Sequence, residues 1–257
     1  MTSLWDLDHG PLAAQVKQLA GPRMDPVDAV APTRFLPQLL DLGGSVALAG
    51  SLATEPVPRE AHADGREVVD WVDAQLEALE RRHLEVLTGR CRVSSPTRMK
   101  RELRGIVPRN PSAVRLITPA FSQHFQVNYV NLRAALAMLR MEAGPRIAAL
   151  GRRGARLEAL DAALADAVAV KAEVLRNRLV AAVHARFAQE AKRALETLPE
   201  NYRVTDLDPW FDPSGWIPAH LVFVGQTLAA VLAHEAGRLR ALARASSDPI
   251  LVPGRSS

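Results

Sequence analysis

Residues 155–198 read ARLEALDAALADAVAVKAEVLRNRLVAAVHARFAQEAKRALETL, 44 positions without a glycine or a proline. Apolar residues recur at Leu157, Leu160, Leu164, Val168, Ala172, Leu175, Leu179, Val183, Phe187, Ala191, Leu195 and Leu198. Steps of three and four put them on one face of an α-helix. Unbroken, such a helix spans about 66 Å. A compact chain of this length has a diameter of roughly 45–50 Å. The helix is therefore expected to kink, to project, or to pair with another chain. Its steps average about 3.7 residues, which argues against a long left-handed heptad coil.

Outward from this stretch the punctuation is mostly proline and glycine. Pro199 closes the long helix, and an aromatic loop follows with Tyr202, Trp210, Phe211 and Trp216 among Asp and Pro residues. A last helix is expected from about Pro218 to Ala245. On the other side, Gly151-Arg152-Arg153-Gly154 reads as a basic hinge; it is too short for a phosphate loop and lacks the Lys-Ser/Thr ending. Thr118-Pro119 is expected to open a helix that Gly144-Pro145 ends or kinks, with a stripe at Phe121, Phe125, Leu132, Leu136 and Leu139. A short basic helix should start at Ser95-Pro96 and end near Gly105. An earlier helix is expected from Arg66 to Thr88, with Asp64 and Glu67 as a capping pair and Gly89 as its stop. Its apolar positions Val69, Val72, Leu76, Leu79 and Val86 are spaced as in a seam that packs along another helix, with His83 filling the missing place.

Ala and Leu dominate an apolar share of 48%, and aromatics reach only 5%. That bias favours helix over sheet, and the one β-branched run, Val114 to Thr118, is interrupted. The fold class expected is all-α, with several long antiparallel helices in an elongated bundle. Seven of the 18 prolines fall in the first 58 residues. The division expected is therefore short helices and loops over 1–60, the bundle over 61–247, and a frayed tail over 248–257.

Cys91 is the sole cysteine, which excludes an intramolecular disulfide and a thiolate zinc site. The start, Met1-Thr2-Ser3-Leu4-Trp5-Asp6, has no apolar core of a secretion signal. Between Asp212 and Glu235 there is no charged residue, close to the length that crosses a bilayer. Pro218, His220, Gly225, Gln226 and Thr227 interrupt that stretch, so a buried central helix is expected rather than a transmembrane segment.

Charge is distributed unevenly. The net charge is −7 over residues 1–89, +7 over 90–115 and +4 over 116–257. The basic segment holds Arg90, Arg92, Arg98, Lys100, Arg101, Arg104, Arg109 and Arg115 against Glu102 alone. Guanidinium forks suit phosphates and carboxylates, so these residues are the candidate contact surface for a protein, anionic lipid or nucleic acid. The competing reading is that they neutralise the acidic N-terminal part of the same chain. No helix-turn-helix, zinc finger or stacking platform supports nucleic acid as the first choice. Trp210, Phe211 and Trp216 are a candidate aromatic docking site, with anchoring of the loop on its own core as the alternative. His184, His220 and His234 do not converge in sequence. Catalysis would need His, Asp or Glu side chains gathered from distant helices, and no motif calls for a metal or cofactor.

The run LEALDAALADAVAVKAEVLRNRLVAAVHARF, from Leu157 to Phe187, together with the stretch from Leu132 to Arg146, resembles a proteobacterial family of uncharacterised helical proteins. The resemblance covers roughly residues 120–245. Genes of that family tend to neighbour those for proton-channel-like motor proteins of the MotA/TolQ/ExbB type and for OmpA-like peptidoglycan-binding proteins. The resemblance implies a cytoplasmic accessory of an envelope-associated assembly, with no active-site residues to carry over. The function expected is thus a non-catalytic helical adaptor with protein partners or a second copy of itself. A nucleic-acid- or anion-binding protein that uses segment 90–115 is the alternative.

Overall fold

The computed structural model describes residues 49–50, 64–90, 93, 96–104, 107 and 111–247. The expected short helices of 1–60, the tail, Arg92 and Arg109 lie outside the described residues. Among those described there are six α-helices, one 3-10 helix and no strand. The chain is all-α, as composition indicates.

Helix α1 (Gly65–Arg82) is capped by Asp64, whose Oδ1 accepts from the Arg66 N–H at 2.8 Å. Glu67 near its start and Arg81 and Arg82 in its last turn oppose the helix dipole favourably. Val68, Val72, Leu76 and Leu79 are buried, while Val69, expected in the seam, is only half-buried. The expected single helix to Thr88 is broken at His83, where φ is −101° and ψ is 8°. A one-turn helix α2 (Leu84–Leu87) follows. Gly89, at φ +69°, then closes the chain in a Schellman turn. Its N–H donates to Val86 O at 3.0 Å, and the Arg90 N–H donates to Glu85 O at 2.9 Å.

Helix α3 (Pro96–Leu103) buries Met99 and Leu103. Helix α4 (Pro111–Ala148) starts earlier than expected and passes through both Pro119 and Pro145. Both prolines are exposed, so water can take the carbonyls they free. The apolar stripe runs on unbroken beneath them, from Ile117 to Ile147, and includes every position expected to line it.

Helix α5 (Arg152–Glu196) is one continuous helix of 45 residues, about 68 Å long. The basic hinge expected at 151–154 is its N-terminus: Gly151 is the cap and Arg152 and Arg153 fill the first turn. Gly154 lies so close to the end of α4 that a Cβ there would meet Ile147 O at 2.1 Å.

The expected aromatic loop contains a 3-10 helix, η1 (Val204–Trp210). Helix α6 (Trp216–Ser247) begins and ends two residues beyond the expected limits and is buried on most sides. By length and composition it could cross a membrane, yet 61% of its apolar window is covered inside the protein.

Helices α4 and α5 run antiparallel, since Arg140 meets Asp161 near one end and Phe121 meets Phe187 near the other. Helices α5 and α6 are antiparallel too, joined by Arg238 to Asp161 and by His220 to Glu190. Helix α6 runs antiparallel to α1, and a Cβ on Gly225 would stand 2.6 Å from Leu87 O in α2. One core lies between α1, α4 and α6 and reaches α5 at Val183. A second, aromatic core joins α3, η1, the start of α4 and of α6, and the end of α5.

Candidate functional site

Helix α5 is covered over one half only. Its buried side chains beyond Gly154 are Val183, Phe187, Ala191 and Leu195. Between Gly154 and Val183 nothing is buried, although the stretch is rich in Ala, Val and Leu. The stripe positions Leu157, Leu160, Leu164, Val168, Ala172 and Leu179 are half-buried, and Leu175 is 58% exposed. Val170 is 75% exposed and Val174 47%. The cause is architectural: α3 and η1 roof the far half together with α4 and α6, whereas α4 and α6 alone meet the near half. Alongside, the outer face of α4 exposes Val127, Val130, Met138 and Met141. Their spacing places them on one ridge. Val170 and Val174 lie off the main stripe, and that second apolar set was the legible sign of this surface.

The basic segment is divided. Arg98 bonds Glu102 on its own helix at 2.8 Å, and Lys100 pairs with Asp208 of η1. Arg90, Arg101, Arg104 and Arg115 are exposed and form no ion pair among the described residues. The acidic Asp73 of α1 is met instead by Arg240 at 2.7 Å and Arg244 at 3.7 Å, both from α6. Neutralisation of this part of the N-terminal acidity therefore comes from the opposite end of the chain.

The aromatic trio faces inward. Trp210 is buried and packs edge-on against Trp216 at 5.6 Å, and Trp216 meets Phe187 at 5.4 Å. Phe211 is half-buried beneath the Lys100 ammonium at 5.7 Å. These rings hold η1 onto the second core. Trp210 is spent on packing within the chain, while Phe211 and Trp216 stay half-buried.

Tertiary packing also gathers groups that are far apart in sequence. His220 of α6 stands 3.3 Å from Glu190 of α5, at ion-pair distance without hydrogen-bond alignment. The other Glu190 oxygen accepts from Arg186 Nε at 2.9 Å, and the Arg186 guanidinium lies 3.8 Å over the Phe223 ring. Burial opposes charge on Glu190, but His220 and Arg186 outweigh it and hold the carboxyl below its ordinary range. His124 of α4 is held below its usual value by burial first and by the nearby His220 second. His184 packs edge-on against Phe125.

His220 is enclosed by Phe121, Phe187 and Phe223 and is 2% exposed, so no substrate reaches its ring. A groove of about 640 Å³ opens beside Glu190, lined by Arg193, Thr197, Trp210 and Trp216. The Glu190 carboxylate is held by Arg186 of its own helix and lies beside His220 of α6. No group of three or more His, Cys, Asp or Glu among the described residues is placed to hold a metal. Compared with models of known protein families, with curated proteins and with solved structures, the chain matches none.

Proposed function

We propose that this chain is a non-catalytic helical adaptor that docks a protein partner, or a second copy of itself, along the first half of α5. The observation that carries the reading is the absence of any buried side chain between Gly154 and Val183 in a helix that is apolar there. Exposed large apolar side chains, here Val170, Val174 and Leu175, are candidates for partner contact, and helix-in-groove recognition uses apolar anchors of this kind. The exposed Arg101, Arg104 and Arg115 lie at the other end of the bundle, beside the sealed half of α5, where positive charge can steer the approach of an acidic partner. The envelope-associated assembly implied by the resemblance is one whose components would supply such a partner, on its cytoplasmic side.

The test is a double variant, Val170→Asp with Leu175→Asp, compared with the wild type by light scattering and by binding to the products of neighbouring genes. The wild type is expected to self-associate or to bind one of them, and the variant to lose that association. A wild-type chain that stays a strict monomer and binds none of them would overturn the reading.

A further inference from the structure

A cleft of about 270 Å³ lies between α4, α5 and α6. Four arginines from three helices converge on it: Arg133 and Arg140 of α4, Arg176 of α5 and Arg238 of α6. Only two carboxylates share the lining, Asp161 and Glu235. Asp161 serves two guanidiniums, Arg140 and Arg238, the latter at 3.3 Å. Arg238 also lies 3.6 Å from Glu235. Arg176, while lining the cleft, pairs with Glu173 of its own helix, which is exposed. Arg133 rests over the Tyr129 ring at 5.9 Å and meets no carboxylate among the described residues.

Four guanidiniums against Asp161, Glu235 and the Glu173 that pairs with Arg176 leave one positive charge in excess, which an added anion offsets while accepting paired hydrogen bonds. The rest of the lining is apolar, with Leu136, Val168 and Leu239 beside alanines of α5. The volume is at or below the small end of ligand pockets, about 300–1,000 Å³, which excludes a nucleic-acid strand.

We propose that this cleft binds a small amphipathic anion, its carboxylate or phosphate head on Arg133 and Arg176 and its short apolar tail along Leu136, Val168 and Leu239. The cleft lies on the side of α5 that faces α4 and α6. Its ligand chemistry is set by a charged head and an apolar floor in one enclosure.

Calorimetric titration at low salt tests it, with three probes: decanoate below its micelle concentration, decanol as the tail alone, and inorganic phosphate as the head alone. Decanoate is expected to bind more tightly than either. Arg133→Ala with Arg176→Ala should weaken decanoate at least about tenfold, with helix content by circular dichroism unchanged. If the double variant does not fold, Glu235→Gln replaces it, since removing a carboxylate from the cleft should tighten decanoate binding. Failure of decanoate to bind overturns the proposal. So does equal binding of decanol, which would leave the arginines without a role, or equal binding of phosphate, which would leave the apolar floor without one.

Discussion

The two halves of α5 have the same helical period and opposite surroundings. From Val183 to Leu195 the stripe is sealed, with Phe187 stacked on Phe121 at a ring separation of 4.5 Å and His220 edge-on at 4.9 Å. From Leu157 to Leu179 the same spacing leaves every position partly open. The difference lies in what sits opposite. Aromatic side chains bury large areas each, and the far half has them on α4, η1 and α6. The near half is built from Ala, Val and Leu and faces arginines and alanines across a cleft. Periodicity tells which face of a helix is apolar; whether that face is covered depends on its neighbours.

The largest expected effect that would sharpen this contrast is at Phe187. Phe187→Ala should cost about 3–5 kcal/mol by urea unfolding, from lost burial plus the cavity left behind. A cost under about 1 kcal/mol would break the comparison, because surface substitutions reach that level by themselves.

Next comes the contact that holds α2 on α6. Gly225→Ala places a methyl 2.6 Å from Leu87 O and 2.7 Å from Val86 O, both backbone atoms, and should cost about 1–3 kcal/mol as overpacking. Gly237, with nothing within 4 Å of its site, is the control. Gly237→Ala should leave the melting temperature equal or higher, because alanine favours helix.

A smaller effect follows from the half-buried His124 of the sealed half. His124 titrates below its ordinary 6.5 because burial opposes its charge. Once pH drops under that value, the unfolded chain takes up a proton there that the folded chain resists. Stability therefore falls as pH drops through this range. Glu190, whose value is depressed, adds stability above its ordinary 4.5 that is lost as pH falls through its folded value. Melting temperatures measured from about pH 8 down to about pH 3 should decline, and His124→Gln should flatten the upper part of that decline. An unchanged profile in the variant would assign it to other groups.

The smallest stability change is expected in the open half. Val170→Asp with Leu175→Asp should alter unfolding free energy by no more than about 0.5 kcal/mol per site, while abolishing association. A large loss of stability in the monomer would mean that this face is covered within the chain after all.

Much of the helical framework was legible from residues alone. The stripes of α4 and α5, the stop at Gly89 and the buried character of α6 all follow from spacing and chemistry that act over one or two turns. The errors fell where tertiary packing overrules local signals. Pro119 read as a start and Pro145 as an end or a kink, yet the helix runs through both; they sit on the solvent side, where a lost hydrogen bond is made good by water. His83 read as a seam position, yet the chain turns there to bring α2 against Gly225. Segment 90–115 read as one basic surface, but Lys100 is drawn to Asp208, more than a hundred residues away. The aromatic trio announced itself by composition, and only packing decided that it faces inward.

By itself the sequence determined an all-α chain, the register of its main stripes and the exclusion of an intramolecular disulfide and of a thiolate zinc site built within the chain. These follow from side-chain type and from the 3.6-residue period, which are local properties. The tertiary structure alone decided which half of α5 is sealed, which arginines are free of partners among the described residues, and which histidines meet Glu190. Each of these depends on contacts between helices tens of residues apart, and no local pattern encodes them. The exposed first half of the longest helix and the arginine cleft beside it are features of that second kind.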